Sequence, residues 1–143
     1  MGPVQNWAAG ALAWTLGSTT AYGPHLPGGC TTCRGIVEVD VNAGTYIKTL
    51  DYYFMGQFSK YVQRGSTALA TTGSYDYGNG AAVEVVAFLN ADNTRTLVIF
   101  NGFNNDVYLT VNFKGGETWS GPLYTNSLTT WLLPAAAGAA GKC

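Results

Sequence analysis

From residue 36 onward, short runs of β-branched and aromatic residues alternate with clusters of Gly, Asn, Asp and Ser, the pattern of successive strands joined by tight turns. The runs predict strands over residues 36–41, 45–50, 66–72, 82–89, 96–100, 107–113, 118–124 and 128–133. Alternation is clearest in the sixth, where Val107, Leu109, Val111 and Phe113 face one way and Tyr108, Thr110 and Asn112 the other. The connectors 90–94, 102–106 and 114–116 hold residues that tolerate left-handed backbone or form Asx turns, so they close antiparallel hairpins. Trp119 and Trp131 fall inside strands and read as core.

One segment breaks the two-residue period. Phe54, Phe58, Tyr61 and Val62 recur at helical spacing, which predicts a short helix over 52–62 that stops before Arg64-Gly65. Residues 6–17 fit neither period: Ala enrichment favours helix, and the Trp, Leu and Thr at the end favour strand. Residues 18–29, rich in Gly and Pro, read as loop. The fold class expected is all-β, an antiparallel β-sandwich with one short helix. Residues 1–17 form an N-terminal segment, 18–134 the sandwich domain and 135–143 a flexible tail.

Composition narrows the partners. The chain has 143 residues, the length of a single domain. Only 10% are charged and the formal net charge is −1, too little positive field to neutralise several phosphates, so nucleic acid is excluded as the partner. With 47% hydrophobic residues the chain has the apolar surface to fold. No membrane span is expected, because the apolar stretches 8–16 and 131–140 are short and interrupted, and a span needs about 18–20 apolar residues. Residues 1–6 lack the basic start of a signal peptide, so a secreted, extracellular protein would already have lost its leader.

Cys30 and Cys33 form a Cys-x-x-Cys pair. A zinc site would contain them, the single histidine His25 and a fourth ligand that nothing identifies, and a redox role would need a βαβ setting. A small structural disulfide is the preferred reading. Cys143 is then odd, left free, joined to another chain or an engineered handle. Glu38 and Asp40 stand two apart on a predicted strand, on one face and about 7 Å apart. That lies inside the range of about 5–9.5 Å used by paired glycosidase carboxyls, although the preferred reading is a solvent-facing strand edge. No phosphate-binding glycine loop is present, and no cofactor or metal is implied. For a neutral sugar the useful groups are aromatic faces with hydroxyl-bonding neighbours. Tyr75, Asp76, Tyr77 and Asn79, on a turn between strands, make the leading carbohydrate-binding candidate, and Trp7, Trp14, Tyr22 and His25 make a second. The alternative is that the Tyr rings only cover the sandwich edge.

The run Asp51-Tyr52-Tyr53-Phe54-Met55-Gly56-Gln57-Phe58-Ser59-Lys60-Tyr61-Val62-Gln63-Arg64-Gly65-Ser66, led into by 29–35 and followed by the hairpins to Leu133, resembles the C-terminal part of glycoside hydrolase family 30, in particular its fungal endo-β-1,6-glucanase and β-1,6-galactanase branch. Gln57 stands where many members have His. The resemblance implies a β-sandwich carried beside a (β/α)₈ barrel whose two catalytic glutamates lie upstream; neither maps onto a residue here. Residues 6–16 resemble the last barrel strand, with Trp14 at the family's last-strand Trp. In full-length relatives a segment preceding the barrel completes the sandwich, so an open sheet edge is expected, with 11–16 as the apolar segment to cover it.

Three functions remain open at this point. They are a non-catalytic, lectin-like protein binding a neutral β-linked glycan, an accessory domain of a family 30 hydrolase, and a protein-interaction module; a homodimer is compatible with each. The chain alone is expected to release no reducing sugar from β-1,6-glucan or β-1,6-galactan, since it holds no residue matching the acid or nucleophile. Release above a blank that Glu38→Gln abolishes would refute this.

Overall fold

The structure is a computed structural model that describes residues 1–72, the backbone of 75–76, and residues 82–136. In chain order the elements are α1 (Gly2–Gln5), β1 (Gly17–Thr19), β2 (Val37–Asp40), β3 (Thr45–Lys48), α2 (Leu50–Ser59), β4 (Thr67–Leu69) and β5 (Tyr75–Asp76). There follow β6 (Ala82–Leu89), β7 (Arg95–Asn101), β8 (Val107–Asn112), β9 (Thr118–Leu123) and β10 (Ser127–Leu133). The chain divides into two compact units, Ala9–Gly56 and the remainder.

The larger unit is the sandwich. One sheet runs in the order β10-β7-β6-β4, with β5 also paired to β6, and the other is the β8–β9 hairpin. All of these pairings are antiparallel. The β6–β7 turn closes as its composition predicts: Asn93 adopts φ 66°, Asn90 N–H donates to the Thr94 carbonyl at 2.8 Å, and Asp92 accepts from Thr94 N–H at 3.0 Å.

Strand β7 lies at the centre. Leu97 and Ile99 point into a cluster with Val83, Ala87, Phe103, Leu123 and Leu133. Against it pack Val107, Leu109, Val111, Phe113, Trp119 and Trp131, so the inward face of the β8–β9 hairpin meets the larger sheet through the alternation read from the sequence. Val98 points the opposite way, into a second cluster with Val86 and Phe88, covered by Met1, Val4, Phe58, Val62 and Leu128. Each such aliphatic side chain removed from water contributes roughly 1.5–3 kcal/mol.

Polar groups inside the sandwich are paired. Arg95, buried at the start of β7, grips the Glu117 carboxylate with two parallel bonds of 2.6 and 2.8 Å and donates to the Pro134 carbonyl at 2.8 and 3.1 Å. Its guanidinium carbon lies 4.4 Å from the Phe113 ring centre, and Trp119 Nε1 donates to Glu117 at 2.7 Å. The cluster therefore ties β7, the β8–β9 hairpin and the chain beyond β10 together. Asn101, fully buried, donates from Nδ2 to the carbonyls of Asn105, Leu123 and Tyr124 and accepts from Phe103 N–H.

Several elements differ from the sequence reading. In the unit Ala9–Gly56, β1 pairs with β2 in parallel (Gly17↔Val37), whereas only antiparallel strands were expected; β2 and β3 form the expected hairpin. Among the described residues there are two helices rather than one. The four-residue α1 carries Pro3 as its second residue, whose fixed φ and missing N–H suit a first turn. Helix α2 begins at Leu50, inside the second predicted strand segment, with Asp51 in its first turn where the helix dipole favours a negative charge. It ends at Ser59, and Tyr61 and Val62 continue as a turn bonded to the Phe58 carbonyl. Residues 11–16 form no strand; the Thr15 and Leu16 carbonyls accept from Ile36 and Val37 N–H, beside β2.

The Arg95 bonds, and after them the Trp119 bond, hold the Glu117 carboxyl down at about 2. A carboxyl depressed on folding adds stability that is present above its unfolded value near 4.5 and is lost as pH falls through the folded one. Glu117→Gln should therefore lower Tm at pH 7, and the gap to the parent should close between pH 4.5 and 2. A gap of constant size across that interval would show that Glu117 acts only through packing.

Candidate functional site

The unit Ala9–Gly56 inverts the usual arrangement of side chains. Its buried residues are Ser18, Gly35, Glu38 and Thr49, while Leu12, Trp14, Leu16, Val39, Val41, Tyr46, Ile47, Leu50 and Tyr53 are exposed. The polar interior is closed by hydrogen bonds. Ser18 Oγ accepts from Gly35 N–H at 2.8 Å, and Thr49 Oγ1 donates to the Ile36 carbonyl at 2.8 Å. Arg34 Nη2 donates to Glu38 Oε2 at 2.8 Å. That bond, and after it the carboxylate's charge, raises the Arg34 guanidinium above its ordinary value.

Glu38 is thus not on a solvent-facing strand edge. It is buried because Arg34, four residues earlier, neutralises it. Asp40, two residues on, accepts from Asn42 and Ala43 N–H at 3.0 Å each and caps the β2–β3 turn. The two acids serve separate structural contacts.

Between β1 and β2 runs the loop 20–34. Thr19 N–H donates to the Gly23 carbonyl at 2.6 Å, Tyr22 N–H to the Thr19 carbonyl at 2.9 Å, and Gly23 N–H to Thr19 Oγ1 at 3.1 Å. Cys30 and Cys33 form the expected disulfide. His25 is exposed, with Nδ1 3.3 Å from the Leu26 carbonyl.

The sugar candidates are placed as follows. Trp14, Tyr22 and His25 belong to the unit Ala9–Gly56, with Trp14 82% and Tyr22 43% exposed. Trp7, 76% exposed, belongs to the sandwich unit and lines a groove with Val4, Gln5, Leu69, Thr71 and Val86. Tyr75 and Asp76 form strand β5 beside Val83 and Ala82 rather than the open turn expected, and Tyr77, Asn79 and Cys143 lie outside the described residues. Among the described residues no group of three His, Cys, Asp or Glu could hold a metal ion, and no helix is long and apolar enough to cross a membrane. Arg34 was missed as the partner of Glu38; the available signal was a lone cation beside Cys33 in a chain poor in charge.

The model of the glycosyl hydrolase family 30 β-sandwich domain matches residues 65–136. The endo-1,6-β-D-glucanase of Neurospora crassa is 52% identical over 139 residues, covering 95% of this chain and 29% of that protein. The endo-1,6-β-D-glucanase BGN16.3 of Trichoderma harzianum is 53% identical over 136 residues, covering 94% and 27%. The solved endo-β-1,6-glucanase BT3312 superposes with a TM-score of 0.79 at 30% identity, over 92% of this chain and 28% of that one. The chain spans less than a third of the length of these relatives.

Gly35 fixes the polar interior by close approach. A Cβ there would stand 2.4 Å from Ser18 N and 2.6 Å from the Val37 carbonyl oxygen, both backbone. Gly35→Ala should cost about 3 kcal/mol, the upper end for overpacking. It should also raise amide exchange at 17–19 and 37–39 while β6 and β7 stay protected. Unchanged exchange at β1 and β2 would contradict the contact.

Proposed function

Because the chain belongs to the glycosyl hydrolase family 30 β-sandwich domain family, we propose that it serves as the non-catalytic C-terminal portion of a secreted endo-β-1,6-glucanase and braces the part that carries the catalytic groups. The observation that carries this reading is the inverted unit Ala9–Gly56, whose apolar side chains face outward around a polar interior. Soluble proteins seldom turn so many large apolar side chains to water around a polar interior, and surface of that kind is what an interface covers. The occupant is the preceding part of the polypeptide, because relatives matched along 94–95% of this chain are more than three times its length. The disulfide suits an oxidising, extracellular compartment.

The test supplies the missing surface. Expressed alone, the chain should bind a hydrophobic dye such as ANS and leave β-1,6-glucan intact. Co-expressed with the residues that precede the aligned region in the Neurospora crassa relative, it should co-purify in equal amount, lose dye binding and restore hydrolysis. A chain that stays monomeric, silent to the dye and indifferent to those residues, yet binds a β-glucan, would reverse the conclusion in favour of a free-standing lectin-like protein.

A further inference from the structure

We propose that an open groove beside the β6–β7 turn of the sandwich holds a neutral gluco-oligosaccharide, its hydroxyls bonded by Lys60, Gln63 and Asp92 and its C–H face laid on Tyr61, Leu132 and Pro134. The proposal goes beyond the preceding reading and rests on it only for the linkage of the sugar, β-1,6.

The groove has a volume of about 430 Å³, within the range of roughly 300–1,000 Å³ that small-molecule sites occupy. Three segments form it, 60–63, 90–94 and 132–134, all within the sandwich unit. One residue of β7 holds all three. Thr96, fully buried, donates from Oγ1 to the Tyr61 carbonyl at 2.8 Å, accepts from Asn90 Nδ2 at 3.0 Å and lies opposite Leu132 in the β10–β7 register. Gln63 N–H also donates to Asn90 Oδ1 at 3.4 Å. A groove fixed in this way is ordered before a ligand arrives, so binding costs little further entropy on the protein side.

Its lining divides into two kinds. Asp92 is exposed, and its carboxylate is aimed by bonds from Gln63 Nε2 at 2.7 Å, from Thr94 N–H at 3.0 Å and from Thr94 Oγ1. Those three bonds leave one of about four acceptor positions open. Lys60 Nζ lies 5.2 Å from the Tyr61 ring centre. Among the described residues Lys60 is in no ion pair, so its ammonium keeps donors for a ligand. The remaining lining is apolar, with Leu132 58% exposed beside Pro134. A sugar has the same division, with hydroxyls at its edge and C–H groups on its ring face, and each hydroxyl both donates and accepts. One cation and one anion cancel, which favours a neutral ligand over an ionic one.

The chain itself, isotope-labelled, is titrated with β-1,6-linked glucotetraose and followed by NMR. Amide shifts should gather at 60–63, 90–94 and 132–133 and saturate in the micromolar to millimolar range. Asp92→Asn keeps an oxygen for the Thr94 turn bonds and removes the charged acceptor, so it should bind about tenfold more weakly, the effect of one charge-assisted bond. Leu132→Ser should also weaken binding, whereas Tyr108→Ser, which removes an exposed ring on β8, should leave it unchanged. Unshifted β6 and β7 amides in each variant report an intact fold. No shifts at about 10 mM, shifts gathered elsewhere, or an Asp92→Asn protein that binds like the parent would overturn the site. Tighter binding of β-1,3-linked glucotetraose would overturn the choice of sugar. The preceding reading fails on other measurements, co-purification with the residues before the aligned region and restored hydrolysis, neither of which needs this groove to be filled.

Discussion

Strand β7 is the constraint on which the sandwich depends, because it is buried on both faces at once. Leu97 and Ile99 look toward the β8–β9 hairpin and Val98 looks toward Phe58 and Val62, all three with no exposed surface. A strand in that position cannot slip by one residue, since each slip would exchange the two faces and with them two differently shaped clusters. Its polar residues face the same requirement. Arg95 at one end is neutralised by Glu117, Thr96 donates to the Tyr61 carbonyl at 2.8 Å, and Asn101 at the other end is saturated by backbone groups. Every buried side-chain nitrogen or oxygen among the described residues has a partner.

The unit Ala9–Gly56 follows the opposite logic. Its interior is too small for an apolar core, and what it encloses is a close backbone approach at Gly35 with Ser18, Thr49 and the Arg34–Glu38 pair around it. Such bonds orient a segment without supplying much net stability, since each trades against water. The hydrophobic contribution that would hold the unit resides in side chains it turns outward. Stability and recognition are therefore the same surface, which is why the function proposed is that of a part.

Much of the sandwich was legible because its signal is local. The alternation through 107–113 marks the buried face of β8, and the turn chemistry of 90–94 marks the hairpin between β6 and β7. The Cys30–Cys33 bridge was legible from its spacing together with the want of further metal ligands and of a βαβ setting. What escaped depends on partners distant in sequence or on irregular backbone. Glu38 reads as a wet-face acid by period, and only Arg34, in a loop with no period, turns it inward. The Arg95–Glu117 pair spans 22 positions, and its only trace was a lone cation opening an apolar strand. The parallel β1–β2 pairing brings together two segments separated by the loop 20–34, a join that no propensity encodes. At the candidate site the rings were visible as residue types, but the left-handed turn that presents Tyr22 was not, because Tyr is among the residues least expected there.

Asn101 carries a consequence for how this end of the fold is held. Its side chain bonds to main-chain groups of residues 103, 105, 123 and 124 and to none of their side chains. A single amide thus does for two adjoining loops what another strand would do, and it reads only the path of the backbone. Phe103 and Leu123 still fill the core, and Asp106, Asn104 and Thr125 add side-chain bonds across the same gap. The amide is what joins both loops to β7, and an acid at 101 would set an acceptor against three carbonyls. The path of two loops is thus held to a central strand by the reach of one short side chain.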